Sequence, residues 1–549
     1  MPVIDRRAFV RESGTAVAAF VLAPPYVLRT RFNHDIVLRG GTVYDGLGNP
    51  GVIADVAMSN GRIAAIAPRI VDTGQFEIDA RGLAVAPGFV DIHSHGDGTL
   101  WDDPRAESLV RQGITTIVVG QDGSSRAPRE DYPDDANRRF ATFIELWRAL
   151  NDLRPSVNVA SMVGLGTVRA AVIGGNNRPA TRAEIERMAS LVQAALAAGA
   201  CGASSGLEYT PGAFASLEEL IAVCKPLAER RLPYATHMRN EDDRLLDAID
   251  ESLAVARGAG CPLQISHLKT QGPRNWAKLD DVFARIASAN AAGIDVAFDR
   301  YPYIAYQTGL TNLFPVWSRD GSNQAFLARL DDSTTAPRIR SETLAKVELI
   351  GGWDNVQIAA VNHPSDSSAE GKPLGAYAAA LGEEPYQFAT DLLKRNRANV
   401  GMVGFAMSEE NIDRILAHPR GMVCSDGGAV AVDGAARRGH PHPRSLGSFP
   451  RILSKYVRER RTLTLPQAIQ KMTSLPASRV RLDRGRLTVG GAADVVVFDP
   501  NTVEDRATFA QPFAYPTGIK AVIVAGSVAL LDGYRGDQRA GKALRAVEV

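Results

Sequence analysis

The sequence predicts an α/β fold: a (β/α)8 TIM barrel carrying a small β-sandwich built from both ends of the chain. Three observations predict it. Between residues 87 and 479, eight short β-type runs alternate with helical patterns, the texture of repeated β/α units. Residues 35–86 and 480–549 lack that alternation and read as short strands broken by Gly, Asn and Asp turns. The runs of the middle part end repeatedly on His or Asp. With 549 residues, 45% of them hydrophobic, the chain can bury a large core and more than one structural unit.

From the N-terminus, residues 1–30 stand apart. Arg6-Arg7 and Phe9 precede a modestly apolar segment from Gly14 to Ala23, which resembles a twin-arginine export signal. That segment is shorter than the roughly 20 residues of a membrane span. The expectation is an exported, periplasmic protein with no membrane span; the alternative is a cytoplasmic protein with an N-terminal arm. From residue 35, "DIVLRGGTVYDGLGNPGVIADVAMSNGRIAAIA" reads as antiparallel strands, and "GGAADVVVFDP" and "GIKAVIVAGSVALLDG" repeat the texture near the other end. One composite β-sandwich, 35–86 with 480–549, follows.

The eight middle runs end near His95, Gly120, Gly164, Tyr209, His237, His267, Asp299 and Asp426. Helical patterns separate most of them. The one over 181–199 opens with Thr181 and Glu184, the spacing of a capping box. Residues 304–365 are too long for a plain βα connection and predict an insertion over the active site. In a TIM barrel that site gathers at the C-terminal ends of the strands.

The strand ends therefore carry the chemistry. In "PGFVDIHSH", residues 87–95, alternation of side chains puts His93 and His95 on the same face. Two imidazoles converging at a strand's end suit a metal ion, although two hydrogen-bonded surface histidines would look the same. Of nine histidines in the chain, four (His93, His95, His237 and His267) fall at such ends, joined by Asp426. A scatter of core histidines would not select those positions. The net charge of +1 gives no basic footprint for nucleic acid. Cys201, Cys224, Cys261 and Cys424 form no CxxC pair, which argues against a zinc ribbon or a thioredoxin-like site and for buried thiols.

The stretches "PGFVDIHSHGD", "GITTIVVG", "YATHMRNE", "ISHLK", "YPY", "CSDG", "KMTSLPA" and "GGAADVVVFDP" together resemble the amidohydrolase superfamily and, within it, the D-aminoacylase (N-acyl-D-amino-acid deacylase) family. The resemblance runs from about residue 35 to the end. It implies a metal-dependent barrel domain over 87–479 holding one or two Zn2+ ions. It places His93 and His95 on one metal position, His237 and His267 on the other, and Asp426 as catalytic carboxylate and ligand. It also implies Lys269 and Tyr301 on the substrate's carboxylate. Tyr303 could donate a hydrogen bond to that carboxylate or to the reacting carbonyl, while Gln307 stands where the family has a serine.

The chain departs from the family at the ligand that bridges the two positions. D-aminoacylases place a cysteine in the turn after the second strand, and this chain reads "VVGQDGSS", with Asp122 there. Other members of the superfamily use a carboxylated lysine on the fourth strand, but the first lysine of this chain is Lys225. Two carboxylates remain, Asp122 and Glu208, each able to span two cations. A turn-forming role for Asp122 and a hydrogen-bonded role for Glu208 stay open beside that. A carboxylate bridge is harder than a thiolate, so Mn2+ or Co2+ competes with zinc. Arg239 and Glu241 read as a salt bridge opening the next helix.

The expected reaction is hydrolysis of the amide bond of an N-acyl-D-amino acid, a small-molecule substrate, to a carboxylic acid and a D-amino acid. A cyclic-amide hydrolase of the hydantoinase or dihydropyrimidinase type is the alternative, weakened by the missing lysine. A metal-free scaffold on the same fold would have no use for the histidine set.

Overall fold

The computed structural model describes residues 33–129, 138–536 and 538–547, so the export expectation for residues 1–30 lies outside the described residues. Nine short parallel strands form the centre: β1 (Phe89–Asp91), β2 (Ile114–Val119), β3 (Asn158–Ser161), β4 (Val163–Gly164), β5 (Ala203–Gly206), β6 (Tyr234–His237), β7 (Leu263–Ile265), β8 (Val296–Arg300) and β9 (Gly421–Val423). They pair in two sheets, β1-β2-β3 and β9-β8-β7-β6-β5-β4. Only Met162 separates β3 from β4, so these nine strands are the eight runs read from the sequence. Their Val, Ile and Ala side chains are buried along the whole of each strand, because helices cover one side and packed side chains fill the other.

The helices follow from periodicity and capping. Arg182–Ala197 begins at the predicted capping box, with the Thr181 hydroxyl accepting from the Glu184 amide and the Glu184 carboxylate accepting from the Thr181 amide. Its buried residues Met188, Val192, Ala195 and Leu196 recur at helical spacing and form one stripe.

Between β8 and β9 the chain makes a long excursion. Strands Ala305–Gly309, Val356–Ala360 and Gly401–Phe405 pair antiparallel, with Gly401–Phe405 in the centre. The insertion expected over 304–365 therefore runs on to Phe405, because its central strand comes last in sequence. Phe314, Phe326, Ile339 and Leu392 pack it in one apolar cluster with Val90, Val118 and Ala297 of the central strands.

The two chain ends meet in one nine-stranded sheet. Strand Ala84–Pro87 pairs parallel with His34–Val43 and antiparallel with Val495–Phe498, in a register that sets Val85 against Val497. Leu38, Val56, Val85, Val495 and Ile523 pack together on one face of this sheet. No helix among the described residues is long and apolar enough to cross a membrane.

Candidate metal centre

The converging residues sit within four residues of the C-terminal ends of their strands. His93 and His95 follow β1, Asp122 follows β2, Glu208 follows β5, His237 ends β6, His267 follows β7 and Asp426 follows β9. Asp122, His267 and Asp426 have φ of 51°, 36° and 50°. Left-handed backbone at non-glycine residues costs on the order of 1–3 kcal/mol and persists where the surroundings over-determine it. Here each strand must reverse at once to aim its side chain inward. Gly206 makes this possible for Asp122: a Cβ at Gly206 would stand 2.2 Å from the Asp122 carbonyl oxygen.

Asp122 lies in the middle. Its Oδ1 is 3.5 Å from His93 Nε2. Its Oδ2 is 3.4 Å from His95 Nε2, 3.5 Å from His267 Nε2 and 3.9 Å from His237 Nδ1. Asp426 Oδ1 is 3.5 Å from His93 Nε2 and 3.1 Å from His95 Nε2. Three groups of metal-type ligands result among the described residues: His93, His95, Asp122 and Asp426; Asp122, His237 and His267; and Glu208, His237 and Glu241. Asp122 belongs to the first two. Nε2 of His93 and Oδ1 of Asp122, 3.5 Å apart, are buried with no hydrogen-bond partner, a state that a cation between them would relieve. The donor set, imidazoles plus carboxylates at this spacing, fits a divalent ion.

Electrostatics point the same way. Burial opposes ionisation of Asp122 and is outweighed by His93 and His267, which hold its carboxyl well below the usual range. Asp426 is likewise held low against burial, by Arg444 and His93. Burial opposes a charge on His95, yet Asp122 and Asp426 push it up to about 10.

Glu208 does not join the Asp122 groups. Its Oε2 is 3.2 Å from Nε2 of His237, whereas Nδ1 of the same ring faces Asp122 and lies 3.1 Å from His267 Nε2. Lys346 and His237 hold Glu208 below the usual carboxylate range despite burial.

Lys269 lines the cavity, but its ammonium sits 2.6 Å from both Glu241 Oε1 and His267 Nδ1. The expected Arg239–Glu241 pair does not form. Glu241 turns inward to Lys269 and Gln271, while Arg239 binds Glu251 at 2.9 Å and the carbonyls of Ala213 and Ala215. Tyr301 lines the cavity with a buried hydroxyl that has no partner. Tyr303 points elsewhere: its hydroxyl is 3.5 Å from the Pro443 carbonyl and its ring packs on His442 and Phe509. Both tyrosines lie beyond the end of β8 at Arg300, so strand alternation does not keep their rings on one side.

Arg444 was not legible as a site residue, yet its Nη1 donates to Asp426 Oδ2 at 2.6 Å. Asp299 accepts from the His267 amide at 2.8 Å and lies 3.6 Å from His93 Nδ1. Its position at the end of "IDVAFD" was the available signal. A cavity of about 590 Å³ opens onto the cluster, walled on its far side by Tyr306, Gln307, Thr308 and Asn312 of the insertion.

A model of the amidohydrolase family matches residues 77–530. The chain is 38% identical over 501 residues to the N-acyl-D-glutamate deacylase of Alcaligenes xylosoxydans xylosoxydans, covering 90% of this chain and 93% of that one. It is 38% identical over 522 residues to the N-acyl-D-aspartate deacylase of the same organism, covering 93% and 95%. A solved structure of N-acyl-D-glutamate deacylase from Bordetella bronchiseptica, complexed with zinc and a phosphonate mimic of the tetrahedral intermediate, matches with TM-score 0.79 and 36% identity. That match covers 93% of this chain and 100% of that one. The chain therefore belongs to the amidohydrolase family and, within it, to the D-aminoacylase group of N-acyl-D-amino-acid deacylases.

Proposed function

We propose that this protein hydrolyses the amide bond of N-acyl-D-amino acids with the help of a divalent metal, releasing a carboxylic acid and a D-amino acid. One observation carries the reading: His93, His95, His237, His267 and Asp426 converge on Asp122 beside a cavity of small-molecule size. The relatives named for N-acyl-D-glutamate and N-acyl-D-aspartate support the substrate class.

In this reading His93, His95 and Asp426 form one metal position, His237 and His267 the other, and Asp122 bridges them in place of the family's cysteine. A bound divalent ion, zinc as in the Bordetella relative or Mn2+ or Co2+, supplies Lewis-acid chemistry for an amide carbonyl and acidifies water. Asp426 takes the proton of the attacking water and returns it to the leaving nitrogen. Arg444 donates to its Oδ2, while Oδ1 faces His93 and His95. Tyr301 and Lys269 meet the substrate's carboxylate; the Tyr301 hydroxyl is free for it, and Glu241 anchors Lys269 while it does so.

The same reading takes the two parallel sheets as arcs of one eight-stranded barrel. Backbone bonds from the Asp426 amide to the His93 carbonyl, and from the His95 amide to the Gly427 carbonyl, support closure between β9 and β1. The composite sheet then stands beside the barrel as the small β-domain, the place the expected sandwich would take.

The test is a substrate panel on metal-loaded protein: N-acyl-D-amino acids, their L enantiomers and hydantoins. Turnover confined to the D series is the expected result. Hydantoin cleavage without deacylation would move the protein to the cyclic-amide class.

A further inference from the structure

We infer that Glu208 is not a metal ligand but the positioning residue of His237, and that the insertion between β8 and β9 holds it in that role. The inference rests on the metal-centre reading above. Its basis is the direction of one imidazole. His237 turns Nδ1 towards His267 Nε2 at 3.1 Å and Asp122 Oδ2 at 3.9 Å, and turns Nε2 towards Glu208 Oε2 at 3.2 Å. The two ring nitrogens point to different places, so an ion held by Nδ1, His267 and Asp122 is out of line with Glu208.

A carboxylate only accepts. Nε2 of His237 therefore carries the ring proton and donates it to Glu208, which leaves the Nδ1 lone pair directed at Asp122 and His267. This is the usual relation of a metal-binding histidine to an outer carboxylate that fixes its tautomer and ring angle. Glu208 is itself fixed from the insertion. The Asn312 amide donates to Glu208 Oε2 at 3.3 Å, and Arg319 donates to the Glu208 main-chain oxygen at 3.0 Å. Lys346, also of the insertion, pairs with Asp242 and sits with Glu208, Asn312 and Arg319 along a second cavity of about 320 Å³ behind the site. The insertion thus reaches the metal centre through Glu208, besides walling the substrate cavity.

A second reading of the same atoms is an ion held by Glu208, His237 Nε2 and Glu241, which also form a compact group. Glu241 argues against it, since Lys269 and Gln271 already donate to its two oxygens at 2.6 and 2.8 Å.

The experiment compares the full-length protein with Glu208→Leu, Glu208→Gln and Asn312→Leu, each checked for folding by circular dichroism. Zinc affinity is measured by competition with a chelator, and the visible spectrum is recorded after Co2+ loading. Loss of an outer partner of a metal-binding histidine lowers metal affinity by about 10–100-fold. Glu208→Leu is expected in that range, Glu208→Gln at a smaller loss because its carbonyl oxygen still accepts, and Asn312→Leu at a smaller loss again. Cobalt stoichiometry and band positions are expected to stay as in the wild type, because the coordinating set is unchanged. Wild-type zinc affinity in Glu208→Leu would overturn the inference. So would a changed cobalt spectrum or fewer ions per chain in Glu208→Gln, which would make Glu208 a ligand. A wild-type protein that binds no zinc or cobalt would instead overturn the metal reading on which the inference rests.

Discussion

Asp122 is the residue on which the two histidine groups of the site meet. A thiolate bridges two ions through one sulfur, whereas Asp122 offers two oxygens, with Oδ1 towards His93 and Oδ2 towards His95, His237 and His267. Asp122→Ala should therefore remove bound metal and abolish turnover, as read by elemental analysis and amide hydrolysis. Asp122→Cys should regain part of the zinc, since a thiolate is a good zinc ligand. Full metal content in Asp122→Ala would take the bridge away from this residue. At Asp426 the expectation differs. Asp426→Asn keeps much of the ligand geometry but cannot move protons, so it should retain most metal and lose several orders of magnitude in turnover. Near-normal turnover would mean that another group moves the proton. The site residues legible in the sequence were those with a positional signature, namely His or Asp where a strand stops. Arg444, Glu241 and Gln271 carry no such signature; they reach the site because loops fold back, and loop paths leave no period to read.

At the scale of single elements, periodicity and capping were sufficient. The Thr181–Glu184 box lies where the pattern puts it, exposed at the surface. Thr181→Ala should destabilise the protein by about 1 kcal/mol in denaturant melts and leave deacylation unchanged. An unaltered melt would mean that packing of the Met188–Leu196 stripe alone holds this helix. Strand boundaries were less legible. The first run reads as strand through His95, but the strand stops at Asp91, so His93 and His95 converge through a turn rather than through alternation. The insertion extends past residue 365 for a related reason. Its last strand, Gly401–Phe405, is short and glycine-bearing, and only pairing with Ala305–Gly309 and Val356–Ala360 reveals it.

On the scale of the whole molecule, the two chain ends depend on each other. Val495–Phe498 is the antiparallel neighbour of Ala84–Pro87, and Val85, Val495 and Val497 are fully buried between the flanks. A chain truncated after residue 494 should expose that apolar edge and aggregate, which solubility and light scattering would register. A soluble, metal-binding truncation would mean that the barrel part stands alone. The joining of the ends was legible because both carry the same strand-and-turn texture. That all nine strands form one continuous sheet was not, because strand order depends on pairing partners far apart in sequence.

The most direct test of the central claim, a metal-dependent and D-selective deacylase centred on Asp122 and four histidines, is a zinc titration of the chelator-stripped protein. Amino-acid release is followed from N-acyl-D-glutamate and from its L enantiomer. The account predicts no turnover after stripping and recovery as zinc is added back, with the D substrate cleaved in preference to the L. Undiminished turnover by protein verified as metal-free would contradict it.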